Sequence, residues 1–443
     1  MKKRLLMTLN FVPLVCSCTT FAQPIRKLRA VDEETRPADS KKLSEPGYQE
    51  FKEKFQSFGI NLSASLASRE QDGRVGDSNF AVSPISIELC LGLAARTAAG
   101  TTRDEILDAF GLDFATFDSY YQTFFDSHYS LGTSNPQGEN KDIVYGIELL
   151  NNSIWIDRRA HSNDDCLDAL AENYRCESFE ADFAGNNEKT NEEISEYIKE
   201  KTKGLININP RLSVDTLYAI LNTIYMKDIW RDGADLPYAG KEFRFQNPNG
   251  DYSSKELRSG YYTLGKAYQG ETFSCFHTYT HAGYGLYFML PNDGYRAKEV
   301  FTSKNIETML SPDSYRIYNE DMTERYNTRC IFPEWTAESN MGLMEALSYD
   351  FGIRSMFGGS ADFSPLSKDE LFCSDVKHVA KLEVGEHGIE GAAVTYMTYE
   401  TTSYIEYPWR DVYEDFVVDH EFGFLITSPK GGIMFSGLVD NIM

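Results

Sequence analysis

The stretch GEHGIEGAAVTYMTYE, residues 385–400, is the most informative segment of this chain because its composition fits a strand in the middle of a sheet. It contains no proline, and none follows until Pro408, so every residue keeps the backbone N–H that a central strand must donate. Side chains of a strand alternate between its two faces. Glu390 and Glu400 both have even numbers, which leaves an odd-numbered face suited to a hydrophobic core.

The composition around this stretch is that of a folded, acidic protein. The chain has 443 residues, of which 42% are hydrophobic and 13% aromatic, enough to bury a sizeable core. Its formal net charge is −24, so its surface repels phosphate backbones and anionic lipid headgroups. We therefore expect no nucleic-acid partner and no membrane contact through a basic surface.

The amino-terminal sequence MKKRLLMTLNFVPLVCSC has a basic start and a short apolar run, which is typical of a secretory signal. Its end is similar to a bacterial lipobox, in which Cys18 becomes the lipid-modified first residue. We expect residues 1–17 to be a lipoprotein-type signal peptide and the protein to be a membrane-anchored lipoprotein of a bacterial cell envelope, facing the periplasm or the outside. Ordinary signal cleavage nearby is the alternative.

The remainder is predicted to be a flexible tether over residues 18–45 followed by a single α+β domain over residues 46–443. The tether is polar and charged without apolar periodicity. Helical patterns dominate the first half of the domain, and β-branched and aromatic runs broken by Gly, Pro or Asn dominate from about residue 215. The cysteines show no zinc spacing; Cys166 and Cys176 are close enough in sequence to form a disulfide after export.

The sequence carries no recognisable catalytic motif. It has no GxSxG elbow, HExxH, P-loop, GxGxxG or calcium loop, and no histidine pair with metal-ligand spacing. His420, which leads into a Phe-Gly-Phe-Leu-Ile run, is interpreted as a structural hydrogen-bonding residue. We expect no cofactor, no metal and no enzymatic activity, although a triad assembled from distant residues is set by geometry and stays open as an alternative.

Eight separated motifs, in order and at family-like spacing, resemble the serpin family from about residue 48 to the carboxyl terminus. They are SNFAVSPISIELCLGLAARTAAGTTRDEIL, EKTKGLI, LYAILNTIYMKDIW, GLYFMLPNDG, FPEWTAESNMGLMEALSYDFGI, ADFSPLS, SDVKHVAKLEVGEHGIEGAAVT and FVVDHEFGFLITSPKGGIMFSGLV. The resemblance implies three β-sheets, about nine helices and an exposed reactive-centre loop. It also implies a suicide inhibitor of serine, or possibly cysteine, proteases, in which the cleaved loop inserts into the main sheet while still attached to the protease.

The resemblance assigns roles to particular residues. A polar cluster beneath the opening sheet matches Ser83, Ser86, Asn222 and His378, and the aromatic at the point of first insertion matches Trp230. The hinge of the loop matches a run of eight residues: Gly385, Glu386, Gly388, Ile389, Glu390, Gly391, Ala392 and Ala393. Ile389 and Gly391 depart from the family's preferred threonine and alanine, and this leaves the speed of insertion open.

Counting along the family pattern places the reactive bond at Thr402-Ser403. A threonine before the cut suits an elastase-like or broadly tolerant serine protease as partner of a monomeric inhibitor. Arg410, before which the loop is longer than expected, is the runner-up position for a trypsin-like target. The alternative function is a serpin-fold binding or structural module that no longer inhibits, and a hydrolase is a third class.

Overall fold

The computed structural model describes residues 25–31, 37–69, 79–134, 144–231, 235–390 and 409–442. Its α-helices, in chain order, are α1 (Pro46–Ser68), α2 (Pro84–Thr97), α3 (Gly100–Phe110), α4 (Phe114–His128), α5 (Asp164–Tyr174), α6 (Asn187–Lys201), α7 (Ala297–Val300), α8 (Ser303–Leu310) and α9 (Met344–Tyr349). The helical patterns expected in the first half of the domain are therefore confirmed by α1 to α6.

The strands form three larger sheets and a two-stranded ribbon among the described residues. They are β1 (Arg26–Arg29), β2 (Phe80–Val82), β3 (Ser130–Ser134), β4 (Val144–Asp157), β5 (Cys176–Ala181), β6 (Tyr218–Ile229), β7 (Arg244–Gln246), β8 (Tyr252–Glu256), β9 (Arg258–Leu264), β10 (Tyr268–Gln269), β11 (Phe273–Tyr279), β12 (Gly285–Pro291), β13 (Glu324–Phe332), β14 (Trp335–Gly342), β15 (Lys377–Gly385), β16 (Gly388–Ile389), β17 (Arg410–Val417), β18 (Phe422–Thr427) and β19 (Ile433–Val439). The predicted α+β architecture is confirmed.

The main sheet has the order β1-β5-β4-β6-β16-β15-β14, with β3 paired to β4 outside this path. A second sheet has the order β10-β11-β12-β18-β19-β2, and a third β17-β13-β9. The third sheet matters for the loop because β17 begins at Arg410, which follows the segment 391–408 and Trp409. The strands that flank that segment, β16 and β17, therefore belong to two different sheets.

Two hydrophobic layers cover the main sheet. The larger core cluster runs from Tyr48 in α1 to Ile442 near the carboxyl terminus. The smaller one lies on the other side of the sheet, where Trp155 and Phe179 pack with Ile194 and Ile198 of α6. The second half of β4 is buried on both faces, whereas β14 and β15 alternate buried residues with more exposed ones.

The structure corrects one part of the predicted tether. Arg26–Arg29 forms β1, which pairs antiparallel with β5 at the outer edge of the main sheet. The apolar pattern failed to indicate it because three of its four residues are basic. The domain boundary at residue 46 and the signal peptide stay predictions, and Cys18 lies outside the described residues.

Two further sequence-based points concern cysteines and membrane spans. Cys166 and Cys176 are both buried and free, so the suggested disulfide is absent from the structure. Across the ranges that the structure describes, no helix is both long and apolar enough to cross a bilayer. Nothing in those ranges brings three or more His, Cys, Asp or Glu residues together as a metal site.

Candidate functional site: the hinge and the slot in the main sheet

The segment that follows β15 turns back into the main sheet. Gly388 pairs with Gly385 of β15 and with Ile229 of β6, while Ile389 pairs with Val384 and Asp228, all in antiparallel register. The two-residue strand β16 therefore lies between β15 and β6. Neighbouring strands are about 4.8 Å apart, so these two strands are separated by roughly 10 Å at this level.

Gly388 is required at this position by the close approach of β6. Its φ is +149°, and a Cβ atom added there would lie 2.1 Å from the carbonyl oxygen of Asp228. Only glycine fits without moving the strand. The next residue, Ile389, has no exposed surface, so the β-branched side chain that departs from the family pattern is buried in the sheet.

The turn between β15 and β16 is held by Trp230 and Arg258. The Trp230 indole N–H donates to the carbonyl oxygen of Gly385 at 2.8 Å, and its backbone N–H donates to that of His387 at 3.4 Å. The Arg258 guanidinium is 6% exposed and forms ion pairs with Glu386 at 2.5 Å and with Glu334 at 2.8 Å. The predicted first-insertion aromatic therefore contacts the hinge turn directly.

Glu390 follows β16 and is the last described residue before Trp409. This residue has φ +66°, a left-handed conformation that is uncommon for a side chain other than glycine. Its backbone N–H donates to Glu383 at 2.7 Å, and its carboxylate accepts a hydrogen bond from the Tyr225 hydroxyl at 2.6 Å. Lys227 lies 3.7 Å from the same carboxylate. Burial raises the pKa of Glu390, which the hydrogen bond from Tyr225 opposes.

Beyond β16 a slot remains between β6 and β15. In the part of the chain that the structure describes, these two strands are joined only through β16 and do not pair with each other. The slot is bounded by ten residues of β6, 218–227, whose strand partners among the described residues all lie on the β4 side. At the level of β16 the two strands already accommodate one strand between them.

The four residues of the predicted sheet-opening cluster lie beneath this slot and connect α2 to both of its sides. The Ser83 backbone N–H donates to Nε2 of His378 on β15 at 2.9 Å. The Ser86 hydroxyl donates to Oδ1 of Asn222 on β6 at 2.6 Å. Sequence reasoning missed Asn152 of β4, which accepts a hydrogen bond from the Asn222 side-chain amide at 2.9 Å. The signal available in the sequence was the pair of adjacent asparagines, Asn151 and Asn152, inside an otherwise apolar strand pattern.

Other predicted residues fall elsewhere. Gly391, Ala392, Ala393 and the reactive bond Thr402-Ser403 lie outside the described residues. Arg410, the runner-up position for a cut, is the first residue of β17; its backbone N–H donates to Thr323 at 2.8 Å and its guanidinium pairs with Glu324. A peptide bond held in a sheet is not presented to a protease in an extended loop, so the structure contradicts this runner-up.

His378 makes the free energy of unfolding of the native state fall at acidic pH. Its Nε2 accepts a backbone hydrogen bond and so must be unprotonated, and burial lowers the pKa of His378 to about 4. A base whose folded pKa is depressed contributes stability that is complete above the unfolded pKa, about 6.5, and that is lost as pH falls toward 4. At pH 4.5 this loss is about 2 to 3 kcal/mol.

We expect His378→Gln to remove this share of the pH dependence, because the glutamine amide oxygen can accept the same hydrogen bond without titrating. The measurement is the urea midpoint of both proteins at pH 7.5 and pH 4.5. Other groups titrate equally in both proteins, including His277, whose pKa burial also lowers to about 4. Equal losses in wild type and variant would contradict the assignment to His378.

The comparisons with known proteins agree with this geometry. The chain matches the family profile described as Serpin (serine protease inhibitor) over residues 53–442. The chain belongs to the serpin family. Two relatives of this serpin are Iripin-2 from Ixodes ricinus, 26% identical with 87% of this chain and 92% of the relative covered, and neuroserpin from Homo sapiens, 26% identical with 82% and 86% covered.

Solved structures share the fold of this serpin. Serpin48 from the insect Tenebrio molitor superposes with a TM-score of 0.70 at 19% identity, covering 89% of this chain and 99% of that one. The thermophilic serpin Tengpin in its native state superposes with a TM-score of 0.66 at 18% identity, covering 94% and 100%. The family consists mostly of protease inhibitors, which are not enzymes in the catalytic sense.

Proposed function

We propose that this serpin is a monomeric suicide inhibitor of a serine protease of elastase-like or broad specificity, and that it traps the acyl-enzyme by inserting its cleaved loop between β6 and β15. The observation that supports this most directly is β16. The loop already enters the main sheet there for two residues, antiparallel to both neighbouring strands. A strand that follows β15 through a two-residue turn must run antiparallel to β15, as β16 does.

The register of β16 defines where each loop residue would lie after insertion. Counting seven residues on from Gly388 and seven back from its partner Ile229 places Thr395 opposite Asn222. Counting six on from Ile389 and six back from Val384 places Thr395 opposite His378. The counts along β6 and along β15 therefore place the same loop residue, Thr395, opposite a residue of the sheet-opening cluster. Thr395 would lie between the two cluster residues that α2 connects.

The same register continues to the far end of the sheet. Tyr399 would lie opposite Tyr218, the first residue of β6, and the reactive bond Thr402-Ser403 would follow just beyond. Twelve inserted residues span roughly 40 Å. A protease esterified at Thr402 would be carried from the hinge end of the sheet to its opposite end.

The driving force comes from ladder hydrogen bonds and from burial of the odd-numbered face. Each new backbone hydrogen bond contributes about 0.5 to 1.5 kcal/mol net, so the strand contributes on the order of 10 kcal/mol. This is comparable to the total stability of a typical fold. The buried Ile389 indicates that odd-numbered residues face the core, as the sequence pattern requires.

The direct test is formation of an SDS-stable adduct with an elastase-like serine protease. We expect a covalent band at the mass of the protease plus the serpin chain ending at Thr402, and this band should be absent with a protease lacking its nucleophilic serine. Mass spectrometry should show that the released carboxyl-terminal peptide begins at Ser403. Quantitative loop cleavage by several such proteases with no adduct would instead support the alternative, a non-inhibitory binding or structural module.

We also propose that the protein is an exported lipoprotein attached through Cys18, because the lipobox-like sequence immediately precedes it. Cells expressing the gene in a bacterial host should incorporate radiolabelled palmitate into the protein, and Cys18→Ala should abolish incorporation. Persistence of the label in Cys18→Ala would contradict lipidation at this residue, and a cleaved but unlabelled wild-type protein would indicate ordinary signal cleavage.

A further inference from the structure

The amino-terminal strand β1 lies outside the family match, which begins at residue 53, and completes the outer edge of the main sheet. Arg26 pairs with Glu180 of β5 and Lys27 with Phe179 in antiparallel register. Without β1, β5 would be an open edge strand. Open edges are commonly covered in native proteins because their unpaired backbone groups attract other strands.

The contacts of β1 are specific to its basic residues. Four ion pairs join it to acids of β5 and α5: Arg26–Glu180 at 2.7 Å, Lys27–Glu177 at 2.5 Å, Arg29–Asp168 at 2.5 Å and Arg29–Asp164 at 2.9 Å. Single exposed ion pairs stabilise little, but several in one network act together. In a chain with a net charge of −24, the acids of this edge would otherwise repel each other.

Apolar contacts fix β1 on both faces of the sheet. Ile25 packs against the smaller core cluster on the α6 side, and Leu28 packs against the main core. The Lys27 ammonium also lies 5.2 Å from the centroid of the Phe179 ring. The segment is thus held by backbone pairing, charge and packing at the same place.

The pairing register shows at which end of the main sheet β1 begins. Arg26 lies opposite Glu180, Glu180 lies opposite Ile156 of β4, and Ile156 lies opposite Tyr218 of β6. Tyr218 is the first residue of β6, whereas the hinge residue Gly388 pairs with Ile229 at the other end. The two ends are roughly 36 Å apart at about 3.3 Å per residue. β1 therefore begins at the end of the sheet opposite the hinge.

We propose that β1 fixes the point at which the amino-terminal segment joins the domain, at the end of the main sheet opposite the loop hinge. We call β1 with its ion pairs the clasp. A molecule held at its amino end then presents the reactive loop away from the attachment. If the loop inserts as in the proposed function, the captured protease is carried toward the attachment. The orientation itself does not depend on that function.

The clasp is tested first by hydrogen exchange. The triple variant Arg26→Glu, Lys27→Glu, Arg29→Glu places acids against acids and should release β1, so that β5 amides facing it exchange at least tenfold faster. The matched control reverses three exposed lysines elsewhere, Lys298→Glu, Lys304→Glu and Lys368→Glu, with the same change in net charge. Unchanged β5 protection in the first variant, or equal loss in both, would overturn the clasp.

The orientation is tested on vesicles. The chain from residue 18 onward, which keeps every described residue, carries a hexahistidine tag at its amino end and is bound to vesicles of nickel-chelating lipid containing an acceptor dye. A donor dye is attached through azidophenylalanine at Val214, four residues before β6, or at Tyr238, beside the hinge; both positions are exposed. We expect stronger energy transfer from position 214 than from 238, and loss of this difference in the triple variant.

Equal transfer from the two positions in the unaltered chain, or stronger transfer from position 238, would overturn the proposal. The measurement involves no protease, so its failure is distinguishable from failure of inhibition, which the SDS-stable adduct reports in solution. With adduct formed on the vesicle, a donor on the protease should show transfer close to that of position 214. Transfer close to that of position 238 would contradict transport toward the attachment.

Discussion

Replacing Thr395 with arginine is expected to convert the serpin from an inhibitor of its target protease into a substrate. The register of β16, if it continues along the inserted loop, would place residue 395 on the core-facing side of the new strand, between Asn222 and His378. His378 is buried, and Asn222 is hydrogen-bonded to Ser86 beneath the slot. An arginine there would bury an unpaired charge, which costs several kcal/mol. Insertion would slow while deacylation would continue.

The measured quantity is the partition ratio, the number of serpin molecules cleaved without trapping for each protease molecule trapped. A barrier higher by 1.4 kcal/mol slows insertion tenfold, so we expect the ratio to rise by about tenfold or more. Glu400→Arg is the matched control, because it introduces the same side chain into the same loop beyond the last paired residue of β6. Since protease recognition affects the association rate and not the partition, an equal rise in both variants would contradict the register.

Thr395→Val separates the contribution of the threonine hydroxyl from that of its small, uncharged shape. Valine keeps the shape and burial of the side chain but removes the hydroxyl that would lie between Asn222 and His378. A lost hydrogen bond between buried groups costs about 1 to 3 kcal/mol, so the variant should remain an inhibitor with a partition ratio between those of wild type and Thr395→Arg. An effect as large as that of arginine would indicate that the hydroxyl, and not the absence of charge, governs insertion.

Cleavage of the loop by a protease that is not trapped is expected to raise the melting temperature markedly. The new strand adds on the order of 10 kcal/mol from backbone hydrogen bonds. For a domain of about 390 residues, an unfolding entropy of about 2 cal/mol/K per residue converts this into a rise of about 10 °C or more. The intact and cleaved proteins are compared by calorimetry at one fixed scan rate, because serpin-sized domains often unfold irreversibly.

Thr395→Arg serves as the control for the thermal measurement. Its loop can be cleaved at the same bond, but the buried arginine opposes insertion, so cleavage should raise its melting temperature much less. Similar rises in wild type and variant would mean that relief of loop strain, and not strand insertion, produces the effect. No rise in wild type would remove the basis for inhibition by insertion and would favour the non-inhibitory module.

Much of the fold could be predicted because it depends on local patterns. Phe51, Phe55 and Phe58 recur at helical spacing and lie buried in α1. Gly111 follows the last residue of α3 and adopts the left-handed conformation that ends a helix, with φ +69°. These signals require no knowledge of distant residues, so the sequence alone supplies them.

The hinge site could be predicted only in part, because its geometry depends on pairs that are distant in sequence. Arg258 contacts Glu334 and Glu386, and nothing in its own neighbourhood indicates this role. The strand β16 has two residues and exists because β6 and β15 leave room for it. The basic segment of β1 resembles a solvated tether, since Lys27 and its partner Glu177 are 150 residues apart.

The central claim is that the cleaved loop becomes a strand between β6 and β15 in the register that β16 begins. A crystal structure of the protein cut at Thr402-Ser403 tests it most directly. The account predicts a continuous strand from Gly388 to Tyr399, with Thr395 between Asn222 and His378. A cleaved structure in which β6 and β15 pair with each other, or in which the loop enters shifted by one residue so that its even-numbered face meets the core, would contradict it.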